Sequence, residues 1–190
     1  TGDKLLSLKN SGVNRLSLGF QSLNEGLLHT LSRTHNPDDC IRIYNDSRKA
    51  GFDNISIGML YNIPGQSVES WLKDLSIVIN LKPDHIAIYP LTLEEGTVLL
   101  QQINSGEISP VVPEETELKM FSQGCQLLTE AGYTQYVVAH FSKMVKECRH
   151  NQHYWNLEPY LAFGPSAHGY DGKKRWWNVS SLDEYLNALS

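Results

Sequence analysis

Between residues 4 and 89 two hydrophobic rhythms take turns along the chain. Val13-Asn14-Arg15-Leu16-Ser17-Leu18-Gly19-Phe20 alternates apolar and polar side chains and predicts a strand, and the apolar-rich runs 55–61 and 86–89 predict two more. Helical spacing fills the gaps. Residues 4–10 read as a helix that Ser11-Gly12 closes, since glycine commonly ends a last turn. Asn36-Pro37-Asp38-Asp39 supplies a cap, a proline at the first helical position and acids in the first turn, so a helix should run to Lys49 and stop at Gly51. Pro64-Gly65-Gln66-Ser67 then turns the chain into a helix over 68–81. Alternating strands and helices of this length imply parallel strands joined by right-handed crossovers, in a barrel or an open α/β sheet. Three strands are too few to close a barrel, and the chain opens at Thr1 rather than Met, so the front of a larger protein is expected to be missing.

After Thr92 the pattern changes. Residues 94–97 and 105–110 read as loops, a helix is predicted from Pro113 to Glu130, and Tyr133–Phe141 alternates as one strand. Residues 142–179 read as irregular and aromatic, and a short last helix begins near Ser181. The expected organisation is therefore an α/β region over 1–105 and a smaller α+β region over 106–190.

Composition narrows the class. The net charge of -5 with 41% hydrophobic residues describes an ordinary globular protein with no basic field for nucleic acid, and no apolar run is long enough to cross a bilayer. Cys40, Cys125 and Cys148 are odd in number and widely spaced, as expected of reduced thiols in a cytoplasmic protein; no close pair exists to hold zinc or an iron–sulfur cluster.

Ligands of parallel α/β folds sit at the carboxyl ends of strands, which here are Gln21-Ser22, Tyr61–Gln66 and Tyr89–Thr92. Gln21 could bond a polar ligand or cap the next helix. Arg33, in a polar loop, could clamp a carboxylate bidentately or remain solvated. A second cluster gathers Cys148, His150, His153 and His168 within twenty-one positions, alongside Arg149, Tyr154, Trp155, Tyr170 and Arg175. Its spacing does not make a closed zinc site. It does offer what haem requires: an axial His or Cys, with His150 and Cys148 the candidates, plus aromatic walls and cations for the propionates. The alternative is that these side chains only pack an irregular segment onto the sheet.

Three strings carry a resemblance: Gly12–Ser22, Leu31-Ser32-Arg33-Thr34-His35 and Tyr61-Asn62-Ile63-Pro64-Gly65-Gln66. They resemble radical S-adenosylmethionine (SAM) enzymes of the oxygen-independent coproporphyrinogen III oxidase type. Cys148-Arg149-His150-Asn151-Gln152-His153-Tyr154-Trp155, with Gly164–Gly169, is similar to the haem chaperone branch of that family. The resemblance implies that 1–105 is the rear half of a partial (β/α)6 barrel, one helix plus three βα units, followed by a truncated C-terminal region. It implies a 4Fe-4S cluster on an upstream Cys-x3-Cys-x2-Cys motif, SAM contacts at Gln21 and Arg33, and haem at His150, Tyr154 and Trp155. Where the family usually carries an aspartate for the ribose hydroxyls, this chain has Gly58, and Asn62 replaces a family glycine.

The expected function is that of a haem chaperone, binding haem and passing it to acceptor proteins. The alternatives are oxidative decarboxylation of coproporphyrinogen III and a non-catalytic binding module. Catalytic residues are not identifiable from the sequence, and without cluster cysteines the 190 residues alone are expected to perform no radical chemistry. The partners expected are haem or porphyrinogen, haem-accepting proteins, a peripheral membrane contact and a second copy paired through an exposed sheet edge.

Overall fold

The computed structural model describes residues 2–189. The chain divides into two compact units, Thr1–Glu147 and Cys148–Ser190. In the first, α1 (Gly2–Asn10) leads to β1 (Leu16–Gln21), α2 (Glu25–Thr30), α3 (Pro37–Lys49), β2 (Ile55–Tyr61), α4 (Val68–Asn80) and β3 (His85–Pro90). Then come α5 (Val98–Asn104), α6 (Glu114–Glu130), β4 (Thr134–Val137) and β5 (His140–Ser142). The second unit holds α7 (Arg149–Trp155), the antiparallel pair β6 (His168–Tyr170) and β7 (Arg175–Trp177), and α8 (Leu182–Leu189).

The local signals act as the sequence implies. Asn36 and Asp39 form a reciprocal capping box at the start of α3, and Ser67 and Ser70 do the same for α4. β1, β2 and β3 run parallel in adjacent order, joined by α3 and α4, and β5 and β4 extend the sheet antiparallel in the order β1-β2-β3-β5-β4.

Several boundaries differ from expectation. The first strand begins at Leu16 rather than Val13, because Val13 still answers the end of α1, donating its N–H to Leu8 O at 3.1 Å. The single strand expected over 133–141 is instead a hairpin, β4 and β5, whose register slips between Gln135 and Val137. Residues 149–155, read as irregular, are helical, and so are residues 98–104 and the short α2, for which the sequence predicts no element. Asn24 and Thr97 cap α2 and α5 with their side chains; both caps are plain in the sequence, but the helices are too short for a periodicity signal.

The strands carry two different faces. Phe20, Ile55, Ile57, Met59, Tyr61, Ile86, Ile88 and Phe141 alternate toward one side and pack with Cys40, Tyr44, Trp71, Leu75, Met120 and Leu128 from α3, α4 and α6. Trp71 anchors that layer by donating Nε1–H to Met120 O at 2.9 Å. The opposite face is polar and small. Two rows cross it in register: Ser17, Ser56, His85 and Ser142, then Gly19, Gly58, Ala87 and His140.

Candidate functional site

The carboxyl end of β1 is built around an unusual backbone. Gln21 adopts φ +67 at a register shift between Gly19 and Gln21. The side chain then folds back over Gly19, its Nε2 lying 2.8 Å from the point a Cβ on Gly19 would occupy. A side chain at Gly19 would displace the amide, so the glycine makes room for it. The next residues are tied down: Ser22 Oγ donates to Asp74 Oδ2 at 2.5 Å and Leu23 N–H to the same oxygen at 2.9 Å. Ser22 and Asp74 are both buried, so α4 holds the loop that presents Gln21.

Arg33 stands farther along the same β1–α3 connection. Ser32 takes φ +52, and the N–H groups of Ser32 and Arg33 close α2 by donating to His29 O and Leu28 O. The Arg33 guanidinium is exposed, makes no hydrogen bond or ion pair among the described residues, and is not bonded to Gln21. Gly58 sits between Gly19 and Ala87 on the polar face. A Cβ there would meet only Leu18 O at 3.8 Å and Gly19 Cα at 4.0 Å, so there is space for a larger residue at its first carbon. A polar amide, a free guanidinium and a small-residue floor at strand carboxyl ends fit an adenosyl amino acid such as SAM.

Asn62 explains its own departure from the family glycine. It adopts φ +63, which asparagine tolerates better than most residues, and its side chain accepts from Val112 N at 2.9 Å and donates to Glu117 Oε2 at 2.5 Å. Gln66 braces the same turn, accepting from Ile63 N and donating to Leu60 O.

The polar face also carries a network that no local sequence pattern announces. Ser56 Oγ meets His85 Nδ1 at 2.8 Å, His85 Nε2 meets Tyr136 OH at 2.8 Å, Tyr136 OH meets His140 Nδ1 at 3.2 Å, and His140 Nε2 meets Tyr89 OH at 2.8 Å. Burial, reinforced by the Arg15 cation, pushes His85 down to about 3, and burial also lowers His140, so both rings are neutral near pH 7. Only the strand register could reveal this chain, because its members lie as far apart as Ser56 and His140.

The cysteines do not fit an iron–sulfur cluster. Cys40 is buried in the core, its thiol pushed up to about 11 by burial, while Cys125 lies on α6 and its thiol is also raised. Among the described residues there is no group of three or more His, Cys, Asp or Glu able to hold a metal ion.

In the second unit, α7 places His150 and Tyr154 one turn apart, with Tyr154 OH and His150 Nε2 at 2.8 Å and the rings edge-on at 5.0 Å. Tyr154 also meets Tyr160 edge-on at 4.6 Å, Tyr160 neighbours Tyr170 at 6.2 Å, and the Arg175 guanidinium lies over Tyr170 at 5.8 Å. Cys148 occupies the position before α7 and makes no side-chain cap. Trp155 is 60% exposed and takes no part in this string of rings. Leu157, Leu161, Phe163 and Trp177 are also exposed, an apolar load that solvent alone does not explain. Aromatic walls, nearby histidines and the cations Arg149 and Arg175 fit a haem.

Comparison with known proteins gives this arrangement its context. A model of the Radical SAM superfamily matches residues 1–77. The chain is 32% identical over its full length to the heme chaperone HemW of Bacillus subtilis (strain 168), covering 50% of that protein. It is 36% identical to the Escherichia coli (strain K12) heme chaperone HemW over 88% of the chain and 43% of the relative. It is 38% identical to the mitochondrial radical S-adenosyl methionine domain-containing protein 1 of Danio rerio, over 84% of the chain and 36% of that protein. The chain thus spans about half or less of the length of these curated relatives. The solved coproporphyrinogen III oxidase (HemN) of Escherichia coli, described as a radical SAM enzyme, superposes with TM-score 0.84 at 23% identity, covering 100% of this chain and 46% of that one. The sheet is therefore part of a radical SAM fold. Family membership implies SAM and a 4Fe-4S cluster in full-length members. The superfamily model over residues 1–77 and the relatives of 32% to 38% identity together place the chain among radical SAM proteins, similar to those named heme chaperone HemW and radical S-adenosyl methionine domain-containing protein 1.

Proposed function

We propose that this chain serves a radical SAM haem chaperone, which binds haem and hands it to acceptor proteins. The observation that carries the reading is the His150–Tyr154 pair, set in the string of rings that continues through Tyr160 and Tyr170 to Arg175. In this reading the 106–190 region handles haem, with His150 or Cys148 near the iron and Trp155 over the macrocycle. The strand ends of 1–105 hold SAM: Arg33 takes its carboxylate, Gln21 a polar group, and Gly58 leaves the ribose hydroxyls without the acceptor that an aspartate would supply.

Sequence relatives at 32% to 38% identity that bear the haem chaperone or radical SAM domain names support this over decarboxylation. The likeness to the oxidase, at 23% identity, speaks for fold alone. Haem, haem-accepting proteins and a cytoplasmic setting belong to the same proposal. A peripheral membrane contact is proposed with them; among the described residues no helix is long and apolar enough to cross a membrane. β1, at the sheet edge, is the proposed pairing site for a second copy.

Titration of the protein with haem tests the reading. A Soret band displaced from its free-haem position, followed by transfer to an apo-acceptor, is the expected result. An unmoved band overturns it, and conversion of coproporphyrinogen III to protoporphyrinogen by the full-length protein would favour the decarboxylase instead.

A further inference from the structure

A histidine that binds a metal through one ring nitrogen commonly has the other nitrogen held by a carboxylate or carbonyl, which fixes the tautomer and aims the ring. The second unit contains three histidines with different surroundings. His150 has its Nε2 engaged by Tyr154 OH at 2.8 Å. His168 lies beside Trp177 with ring centroids 6.1 Å apart and makes no side-chain hydrogen bond among the described residues. His153 alone has Nδ1 bonded to a carboxylate, that of Glu158, and its Nε2 makes no bond among the described residues.

That pairing is built by the backbone. After α7, Leu157 takes φ +55, a left-handed conformation that a leucine adopts against its steric preference. The turn it makes brings Glu158 N–H back to His153 O at 2.9 Å. The carboxylate then reaches His153 Nδ1, and Asn156 Nδ2 donates to its second oxygen at 3.3 Å. Glu158 is thereby held at three points over a ring whose side chain is 55% exposed. Trp155 and Leu157, two and four residues beyond His153, are about 60% exposed and offer apolar surface on the same short segment.

We infer that His153, held through Nδ1 by Glu158, is the axial ligand of the haem iron through Nε2. The inference rests on the haem-binding reading above and assigns the iron to His153 rather than to His150 or Cys148. With Nδ1–H donated to the carboxylate, Nε2 carries the lone pair that iron needs; no bond is broken except that to whatever ligand leaves the iron. Glu158 is a positioning residue.

The test is a titration of the full chain with ferric haem, read by Soret position and by resonance Raman of the reduced complex. Wild type is expected to shift the band and show an iron–histidine stretch. H153A should lose both while keeping its far-ultraviolet circular dichroism, and added imidazole should restore the shifted band. The haem that H150A and C148A still hold should show the iron–histidine stretch, whatever those variants do to its affinity. E158Q should keep ligation but lower the stretch frequency, a change that loss of a merely structural contact would not produce. An unchanged stretch in H153A, or its loss in H150A, overturns the assignment and leaves haem binding intact. No shift in the wild type overturns the haem-binding reading and the assignment with it.

Discussion

Acidification from about pH 7 to about pH 5 should remove roughly 2 kcal/mol of folding stability from the Thr1–Glu147 unit, through His85 alone. The ring is 1% exposed, pinned between Ser56 Oγ and Tyr136 OH, and burial followed by the Arg15 and His140 charges brings it from 6.5 to about 3. In the unfolded chain His85 takes a proton below 6.5, whereas in the fold it refuses one until about 3. The unfolded state therefore binds more protons throughout that window, so the stabilisation is complete above 6.5 and drains away as pH falls toward 3. The loss would approach roughly 4–5 kcal/mol at the acid end. His140, lowered in the same direction, adds to it. Exposed carboxylates such as Glu158 and Asp171 are also depressed, but from 4.5 and 3.8, so their losses begin below the span from about pH 7 to about pH 5 in which His85 acts. Urea unfolding at several pH values between about 7.5 and 5, on wild type and H85Q, measures the effect. The variant's midpoint should fall much less with pH than the wild type's. A wild-type midpoint that stays flat across the range, or an equal fall in H85Q, would refute the reasoning.

Other outcomes follow from single contacts. Asp74→Ala removes the shared acceptor of Ser22 Oγ and Leu23 N–H and should cost about 3–5 kcal/mol by denaturant unfolding, with Asp74→Asn costing less because it keeps one oxygen. Gly169→Ala would set its Cβ 2.3 Å from Trp176 Cζ2, so it should displace the indole, redshift its fluorescence and destabilise the β6–β7 pair. Gly58→Asp has space at Cβ and returns a carboxylate to the floor between Gly19 and Ala87; calorimetry on the full-length protein should show tighter SAM binding by several-fold. No change in SAM affinity would remove Gly58 from the site.

What could be read from the sequence follows the range of the interactions. The caps at Asn36 and Ser67 and the alternation in β1 are local, and each correctly marks its element. The β4–β5 hairpin is not legible because residues 133–141 contain no Gly, Pro, Asn or Asp to mark a turn, and only the pairing of β5 with β3 and with β4 separates the two strands. α7 went unread because its residues are aromatic and polar on all sides, so no apolar stripe betrays a helix in a surface segment. At the site, Gln21 and Arg33 were named from strand ends and the family strings, but the backbone that presents them, with φ +67 at Gln21 and +52 at Ser32, lies beyond any residue preference. The Ser56–His85–Tyr136–His140–Tyr89 chain was missed because it depends on three strand pairings at once.

The same register bears on Gly58, which stands where the resemblance implies an aspartate. An ionised carboxylate at 58 would stand one row from Ser56 and His85 and in the row of Ala87 and His140; Ser56, His85 and His140 belong to the self-satisfied neutral network. A nearby negative charge favours the protonated form of an imidazole, so it would raise His85 and His140 and pull the network toward a charged state. With glycine the network stays neutral and the face keeps a flat floor from Gly19 to Ala87. In the proposed SAM site a ribose acceptor at 58 and the neutral histidine chain would be competing arrangements of one sheet face, and this chain holds the second. The competition has a visible signature: in G58D the acid loss of stability assigned to His85 should move to a narrower pH window, because the folded-state histidine rises toward its ordinary value.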